Sequence, residues 1–442
     1  MIKYCEVYIW GRRVGIVGYG ENDDVANFEY DKDFLNSAIE LSPIVMPLSN
    51  QVYSFKNLNK ETFKGLPGML ADSLPDRYGD ALIEAWLSKQ NRSIQSFSPI
   101  ERLCYMGDRG MGALEYVPCS GPIDSKEEKL DIEKMLSLIS KILTKRKDIE
   151  IEDNDMTMAN LLKFGTSAGG ARAKAIIAYN EKTGDICSGQ VANKKDYGYW
   201  IIKFDDVDNN GDHNEKDSKD YTRIEYAYYL MAKAAGIKMN ECRLLIENNR
   251  YHFMTKRFDR EDKTGEKIHM QTLGAIGHFD FNVSRSCSYE RAAQICTLLN
   301  IGNDEICELF RRMVFNVLSI NNDDHVKNIS FLMNKDGEWH LAPAYDLSFS
   351  YRDDSIWVSK HQMTINGKSE NIMFNDMLEC AKTMNIKESK AKKIISDVKE
   401  AICKWEEFAD EANVTNNSKE VINLILNKNW HCNCWISFIK RF

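Results

Sequence analysis

The chain has 442 residues, of which 43% are hydrophobic and 28% are charged, and its formal net charge is −8 at pH 7. This length predicts two or three domains with sizeable cores, and the composition is typical of a soluble globular protein. The acidic balance gives no electrostatic support for nucleic acid as a direct partner, and no apolar run reaches the ~18 residues of a membrane span. The N-terminus lacks the regions of a signal peptide, and the twelve cysteines are mostly single within apolar segments. We therefore expect a cytoplasmic protein without disulfide bonds.

The N-terminal third predicts strands followed by a helix. Residues 6–10 and 13–17 alternate apolar and polar side chains on either side of a Gly-Arg pair, which is the pattern of a β-hairpin. A helix is predicted to open near residues 71–76, because apolar side chains then recur at helical spacing. The polar segment 120–131 predicts the first domain boundary.

A glycine-rich segment follows a predicted helix over residues 132–147. It reads Gly-Thr-Ser-Ala-Gly-Gly-Ala-Arg-Ala-Lys from Gly165 to Lys174 and leads into an apolar strand. Small residues let backbone N–H groups approach a phosphate closely, and Ser and Arg add side-chain donors. Taken alone, the segment is more typical of a glycine-rich turn between two elements.

Lys203 lies near the end of a short apolar strand that is predicted over residues 199–204. It reads either as a lysine that contacts nucleotide phosphates or as an exposed residue at a strand edge. A helix is predicted over residues 222–235, with Glu225 in its first turn. Glu225 can pair with Lys203 there, or it can favour the helix dipole without any partner.

A polar loop at residues 321–328 is the central feature of the C-terminal half. It follows two apolar helices predicted over residues 288–299 and 304–320 and precedes another apolar run. Asp323 and Asn328 have the Asp-x-x-x-x-Asn spacing of a kinase catalytic loop, in which the Asp accepts the substrate hydroxyl proton and the Asn binds a metal. A second acidic residue, Asp346, comes after a strand-like segment. On this octapeptide alone, an Asx-rich turn is the favoured interpretation.

The last hundred residues predict helices over 377–412 and around 421–426. His431, Cys432 and Cys434 form the one cluster of metal-ligand residue types. A structural zinc site needs about four ligands, usually with a second paired motif, and none is evident, so a terminal helix or turn is favoured over a metal site.

The order of these motifs resembles the HipA family of bacterial serine/threonine kinases, the toxin halves of HipA–HipB-type toxin–antitoxin pairs. The resemblance extends over residues 60–350 and rests on the glycine-rich segment, the polar loop and four further stretches: residues 65–79, 110–114, 256–260 and 343–346. It implies an α+β, bilobal, protein-kinase-like fold with an extra N-terminal α/β subdomain on the small lobe and a mainly helical large lobe. The implied domains are 1–125 (N-terminal subdomain), 126–258 (nucleotide-binding small lobe) and 259–442 (large lobe).

The resemblance also implies a role for each matching residue. Asp323 is the implied catalytic base, and Lys327 neutralises the transferring phosphoryl group. Asn328 and Asp346 are the implied Mg²⁺ ligands. The implied ATP-binding residues are Ser167, Ala168, Gly169, Gly170, Lys174, Lys203, Lys256 and Phe258, together with the two metal ligands.

Two positions in this implied site carry an ambiguity or a departure. Ser167 matches a serine whose autophosphorylation inactivates related kinases, and Thr166 beside it is a second acceptor. Lys256 stands where some relatives have an acidic residue beside adenine, so only its backbone can contribute there.

The implied function is ATP·Mg²⁺-dependent phosphorylation of a protein, in the family commonly an aminoacyl-tRNA synthetase such as glutamyl-tRNA synthetase. A HipB-like helix-turn-helix antitoxin is the implied partner, and DNA is contacted mainly through it, with no membrane involved. Two alternatives remain open: a nucleotide-binding corepressor module without kinase activity, and a small-molecule kinase.

Overall fold

The computed structural model describes residues 2–21, 23–121, 131–144, 165, 172–190, 196–207, 220–262 and 264–432. The chain divides into two compact units. The first unit comprises Met1–Lys219, Leu245–Gln271 and Met333–Glu338, and the second comprises Asp220–Leu244, Thr272–Leu332 and Trp339–Phe442. Each unit is therefore built from discontinuous stretches of sequence. The three-domain division expected from the sequence stays a prediction.

The first unit begins with a five-stranded antiparallel sheet. The predicted hairpin is confirmed, because Tyr4–Ile9 pairs with Arg12–Gly18. Gly11 takes a φ of +75° in the connecting turn, a conformation that glycine adopts without steric cost. From one edge to the other, the strands are Tyr53–Ser54, Asn27–Tyr30, Arg12–Gly18, Tyr4–Ile9 and Leu114–Val117.

Short helices follow these strands in the first unit. The α-helices are Lys32–Leu35, Lys60–Phe63, Gly68–Ala71, Arg77–Ser88, Pro99–Met106 and Ile132–Thr144, with a 3₁₀ turn at Ile94–Ser96. The helix predicted after residues 71–76 is confirmed, and it starts at Arg77. Ser98 and Glu101 form a capping box that starts Pro99–Met106: the Ser98 hydroxyl accepts from the Glu101 N–H at 3.1 Å, and the Glu101 carboxylate accepts from the Ser98 N–H at 3.0 Å.

A second five-stranded sheet completes the first unit. Its spatial order is Ile186–Ser188, Lys174–Tyr179, Gly198–Lys203, Arg250–Lys256 and Cys242–Glu247. Trp200, Ile202 and Met254 on this sheet are fully buried in one apolar core with Leu82 and Ile139 of the helices Arg77–Ser88 and Ile132–Thr144. The predicted strand that ends at Lys203 is thus a central, buried strand.

The second unit is mainly helical, as expected. Its helices are Tyr221–Ala234, Leu273–Gly277, Tyr289–Leu298, Asn303–Ser319, Phe374–Thr383, Glu388–Ile402, Trp405–Glu411 and Asn416–Cys432. The helical pattern predicted over residues 377–412 consists of three helices, because the left-handed Asn385 and the turn at Lys404 interrupt it. The three remaining strands, His269–Thr272, Ser330–Met333 and Trp339–Leu341, form a third sheet in that order.

One helix prediction needs correction. The helix around Glu225 begins at Tyr221, so Glu225 lies beyond the first turn, which contains no acidic residue. The side chain is buried, with 3% of its surface exposed. A favourable interaction with the helix dipole falls off within the first turn, so the dipole is not the main reason for an acidic residue here.

Ten cysteines in the described ranges are free, and eight of them are buried. Among the described residues, none of the helices has the length and apolar character needed to cross a membrane.

Candidate active site

The polar loop of residues 321–328 begins where a buried helix ends abruptly. The helix Asn303–Ser319 stops at Ile320, which has a left-handed backbone with a φ of +57°. A β-branched residue rarely adopts this conformation, which costs about 1–3 kcal/mol. Hydrogen bonds hold the turn in place: the Tyr228 hydroxyl donates to the Ser319 carbonyl at 2.5 Å, and the Asn321 N–H donates to the Asn316 carbonyl at 2.9 Å. The chain therefore leaves the helix in a fixed direction.

A directed chain of hydrogen bonds runs beneath this loop. Asn321 Nδ2 donates to Asn316 Oδ1 at 3.0 Å, and Asn316 Nδ2 donates to the Tyr289 hydroxyl at 2.9 Å. Tyr289 in turn donates to Asp324 Oδ2 at 2.9 Å. Burial, and then the charge of Asp324, raise the pKa of Tyr289 well above its ordinary value, so the hydroxyl keeps its proton and its role as a donor.

Asp324 is the aspartate whose carboxylate is engaged in buried hydrogen bonds. Its side chain is fully buried, and besides Tyr289 it accepts from His361 Nδ1 at 3.0 Å and from the Gln362 N–H at 2.7 Å. A carboxylate with both oxygens engaged in the interior cannot reach a substrate hydroxyl. The sequence prediction placed catalysis on Asp323 and not on Asp324, and this burial is compatible with that choice.

Asp323 has the opposite environment. Its side chain is 47% exposed, and Oδ1 lies 3.7 Å from His325 Nε2. The backbone around it is closed by Asn328, whose Nδ2 donates to the Asp323 carbonyl at 2.8 Å and whose N–H donates to the His325 carbonyl at 2.9 Å. The Asp-x-x-x-x-Asn spacing is thus folded into a compact turn that directs an accessible carboxylate toward solvent.

Lys327 lies on the same turn and is held by two aromatic residues. Its Nζ sits 4.8 Å from the centroid of the Phe281 ring, within the range of a cation–π interaction. Its carbonyl accepts from the Tyr345 hydroxyl at 2.6 Å, and that hydroxyl also lies 2.5 Å from Ser330 Oγ. Tyr345 therefore ties the turn to the segment that carries Asp346.

Asn328 and Asp346 suit a magnesium ion by their chemistry. Because Asn328 Nδ2 is engaged with the Asp323 carbonyl, its Oδ1 is the amide atom left to act as a ligand. Asp346 has a left-handed backbone with a φ of +56°, a strained state that recurs at functional sites. Within the described residues, no group of three or more His, Cys, Asp or Glu side chains forms a metal cluster. One amide and one carboxylate fit Mg²⁺, which usually takes few protein ligands and keeps waters and phosphate oxygens.

Two lysines of the first unit face each other across adjacent strands. Lys174 and Lys203 are register partners in the second sheet, and both are buried, with 4% and 7% of their surfaces exposed. Lys203 Nζ also lies 5.8 Å from the centroid of the Phe253 ring. Directly opposed side chains lie on the same face of a sheet, so the two lysine side chains leave neighbouring strands on one face. Since Glu225 belongs to the second unit, its pairing with Lys203 stays a prediction.

The predicted adenine-lining residues lie at the end of the strand Arg250–Lys256. Lys256 is paired through Nζ with Asp262 Oδ2 at 2.8 Å, and Phe258 is half-buried. Their role at a nucleotide stays a prediction.

A buried ion cluster of Arg257, Asp259 and Arg260 adjoins these two residues in the sequence, and the sequence analysis did not predict it. Asp259 has no exposed surface, binds Arg257 through two hydrogen bonds of 2.8 Å, and binds Arg260 Nη1 at 2.9 Å. Burial opposes ionisation of Asp259, but the charges of Arg257 and Arg260 outweigh it and hold its pKa well below the ordinary value. The Gly112 N–H also donates to Asp259 at 2.7 Å, and Arg260 donates to the Gly110 carbonyl at 3.2 Å. The two motifs around residues 110–114 and 256–260 are thus one physical cluster.

Several predicted residues lie outside the described residues. These are Thr166, Ser167, Ala168, Gly169 and Gly170 of the glycine-rich segment and Cys434 near the C-terminus, and the side chains of His431 and Cys432 are likewise not described. The structure places Asp323, Lys327 and Asn328 on one turn of the second unit, and Asp346 follows Tyr345, whose hydroxyl contacts that turn. In the first unit, Lys174 and Lys203 are opposed on adjacent strands.

Comparison with known proteins identifies two family domains. The HipA N-terminal domain matches residues 5–117, and the HipA-like C-terminal domain matches residues 166–405, more than half of the chain. A Haemophilus influenzae protein named "Putative kinase" is 30% identical over 168 residues, which cover 33% of this chain and 48% of that protein. The match thus spans about half the length of this curated relative.

A solved structure agrees with the chain over nearly its whole length. It is a chain of the Shewanella oneidensis MR-1 toxin–antitoxin complex of HipA, HipB and operator DNA, with a TM-score of 0.67 and 18% identity, and the match covers 97% of this chain and 96% of that one. At this identity the likeness shows the fold alone, and it confirms the predicted α+β, bilobal, kinase-like fold. With both family domains matched in order, the chain belongs to the HipA family.

Proposed function

We propose that the protein is an ATP·Mg²⁺-dependent serine/threonine protein kinase that acts as a HipA-type toxin in the cytoplasm. The observation that carries the proposal is the different environment of two adjacent carboxylates. Asp324 is buried and hydrogen-bonded, whereas Asp323 is accessible on a turn closed by Asn328. A turn with only a structural role does not require an exposed carboxylate held in one place by hydrogen bonds, whereas a catalytic loop does. The family membership and the kinase-like fold support the same reading.

In the proposed reaction, Asp323 accepts the proton of the substrate hydroxyl as that oxygen attacks the γ-phosphorus of ATP. The bond between the γ-phosphorus and the β,γ-bridging oxygen breaks, and ADP leaves. Lys327, fixed over Phe281, offers positive charge beside the reacting phosphoryl. Asn328 and Asp346 would hold the Mg²⁺, which supplies charge neutralisation for the nucleotide phosphates when bound. Positioning and electrostatic stabilisation are the main sources of catalysis in phosphoryl transfer, so the fixed turn around Asp323 is a central part of the machinery.

The opposed lysines Lys174 and Lys203 support nucleotide binding. They are register partners on neighbouring strands, and lysine ammonium groups commonly bind nucleotide phosphates in kinases. We propose that these two side chains contact the ATP phosphates, with the backbone of residues 167–170 and with Lys256 and Phe258 near the adenine.

The remaining parts of the proposal concern regulation and partners. Autophosphorylation of Ser167, or of Thr166, would add roughly −1.5 to −2 charges to the phosphate-binding segment and repel ATP from it. The proposed partner is a HipB-like antitoxin that contacts DNA, and the proposed substrate class is a protein of translation such as an aminoacyl-tRNA synthetase. The free, buried cysteines suit the reducing cytoplasm. The proposed domains are 1–125, 126–258 and 259–442.

The test is autophosphorylation of the purified full chain with radiolabelled ATP and Mg²⁺. Asp323→Asn and Asp346→Asn should each lower labelling by at least about 100-fold, because each removes a group that acts on the transferring phosphoryl. Asp336→Asn, which changes an exposed carboxylate in a turn, is the matched control and should label like the wild type. Full labelling of both site variants would refute the assignment. ATP binding by the wild type without any phosphoryl transfer would favour the corepressor module instead.

A further inference from the structure

An apolar turn at the surface follows Asp346 in the chain. Ile356 has 82% of its surface exposed, the largest fraction among the large hydrophobic residues that the structure describes. Trp357 and Val358 follow it and are half-buried, while Asp353 and Asp354 before it are exposed. An exposed isoleucine that continues into half-buried apolar neighbours and is bordered by charged residues has the composition of a contact site.

The turn is held in one conformation. Ser355 is buried, with 4% of its surface exposed, and its Oγ accepts from the N–H groups of Trp357 and Val358, both at 3.2 Å. The Trp357 carbonyl accepts from Gln362 Nε2. Ile356 is therefore presented by a fixed loop, so little ordering cost opposes its use as a contact.

The attachments of this loop bracket the candidate catalytic residue. Asn322 donates through Nδ2 to the Val358 carbonyl at 3.0 Å and through its N–H to the Ser350 carbonyl at 3.1 Å. On the other side of Asp323, the Asp324 carboxylate accepts from the Gln362 N–H at 2.7 Å. Two residues of chain span at most about 7 Å, so Ile356 lies close to the point where Val358 meets Asn322. The links from Ile356 through Val358 and Asn322 to Asp323 add up to at most roughly 25 Å between the Ile356 side chain and the Asp323 carboxylate.

We propose that Ile356 is a specificity-determining residue that contacts an apolar side chain of a protein substrate. The contact would lie within about seven residues of the phosphorylated hydroxyl, because an extended peptide advances about 3.3 Å per residue. This inference rests on the proposed kinase function and names its substrate class: a polypeptide with an apolar residue near the acceptor. A small polar metabolite has no surface that would cover an exposed isoleucine, so the turn favours a polypeptide over a small molecule.

The experiment uses the full chain with a synthetic peptide library as the probe. Each peptide has one serine or threonine acceptor at a fixed position, and the library places Leu, Ile, Ser, Asp or Lys at each of seven positions on either side. Phosphate incorporation from radiolabelled ATP should be highest for Leu or Ile at one of these positions.

Matched variants then link that preference to Ile356. For the best apolar peptide, Ile356→Ser should raise KM by about 10-fold with kcat unchanged, the factor expected when most of one buried aliphatic contact is lost. Ile356→Leu should keep the wild-type KM. Leu424→Ser, at a residue that is 72% exposed on the helix Asn416–Cys432, is the control and should change neither parameter. Because Ile356 is exposed, its replacement should leave folding intact.

The outcomes separate the two proposals. If the wild type shows neither autophosphorylation nor peptide labelling, the proposed function fails. If the wild type autophosphorylates and labels peptides without an apolar preference, or if Ile356→Ser keeps the wild-type KM for the best peptide, the proposed function stands and the role of Ile356 is refuted. If the wild type autophosphorylates but labels only a metabolite and no peptide, the substrate class is refuted.

Discussion

The adjacent aspartates Asp323 and Asp324 make a matched pair of perturbations. Replacement by asparagine keeps the volume of each side chain and removes its charge. In Asp324→Asn, one acceptor oxygen becomes a donor NH₂ group that faces Tyr289 and His361 or the Gln362 N–H. One or two buried donors then lose their acceptor, each at about 1–3 kcal/mol, so we expect a loss of about 2–4 kcal/mol. For a folding unit of this size, that is a fall in Tm of roughly 5–15 °C.

Asp323→Asn should behave in the opposite way, because its carboxylate is 47% exposed, whereas that of Asp324 is fully buried. Its Tm should stay within about 2 °C of the wild type, while autophosphorylation is lost. Thermal melts followed by circular dichroism give the stabilities, and labelling with radiolabelled ATP below the lower Tm gives the activities. If Asp324→Asn melts with the wild type, or if Asp323→Asn loses as much stability as Asp324→Asn, the reasoning about the loop is wrong.

Three further predictions concern the first unit. Burial, and then the charge of Arg250, lower the pKa of His252 to about 4, so the unfolded chain binds more protons below pH 6.5 and stability should fall by roughly 3 kcal/mol as the pH drops from about 6.5 to 4; urea titrations should show a shallower pH slope for His252→Gln. Asp259→Ala leaves two buried arginines uncompensated and should cost about 3–5 kcal/mol in a urea melt, whereas Arg13→Ala at a surface ion pair should cost under about 1 kcal/mol. Ser98→Ala removes a helix cap and should cost about 1 kcal/mol by the same measurement, and an unchanged midpoint would show that the capping box is not stabilising.

Much of the fold could be predicted because its signals are local. The N-terminal hairpin, the strand that ends at Lys203 and the two helices before the polar loop follow from hydrophobic periodicity, and their ends agree with the structure within a few residues. The helix Pro99–Met106 was missed although its signal is local too. Ser98, Pro99 and Glu101 form a recognisable helix start, but the surrounding charge and aromatic residues obscured it.

The candidate site was only partly predictable, because the parts that matter join distant residues. Spacing alone separated Asp323 from Asp324, yet the fate of Asp324 depends on His361 and Gln362, 37 and 38 residues further along the chain. The buried cluster around Asp259 depends on Gly112, 147 residues earlier. No local pattern predicts such pairings. The resemblance to the HipA family includes residues 110–114 and 256–260 as two motifs, but it does not indicate that they contact each other.

The Asp259 cluster has a consequence for how this family can evolve. The two matched domains meet somewhere between residues 117 and 166, which suggests interchangeable modules. Yet Gly110 and Gly112 of the first domain are bonded to Arg260 and Asp259 of the second. An N-terminal domain taken from another relative must supply a backbone turn of the same shape; otherwise the buried charges of Asp259 and Arg260 lose these hydrogen bonds. The boundary between the two family domains is therefore not a site at which domains can be exchanged without a loss of stability.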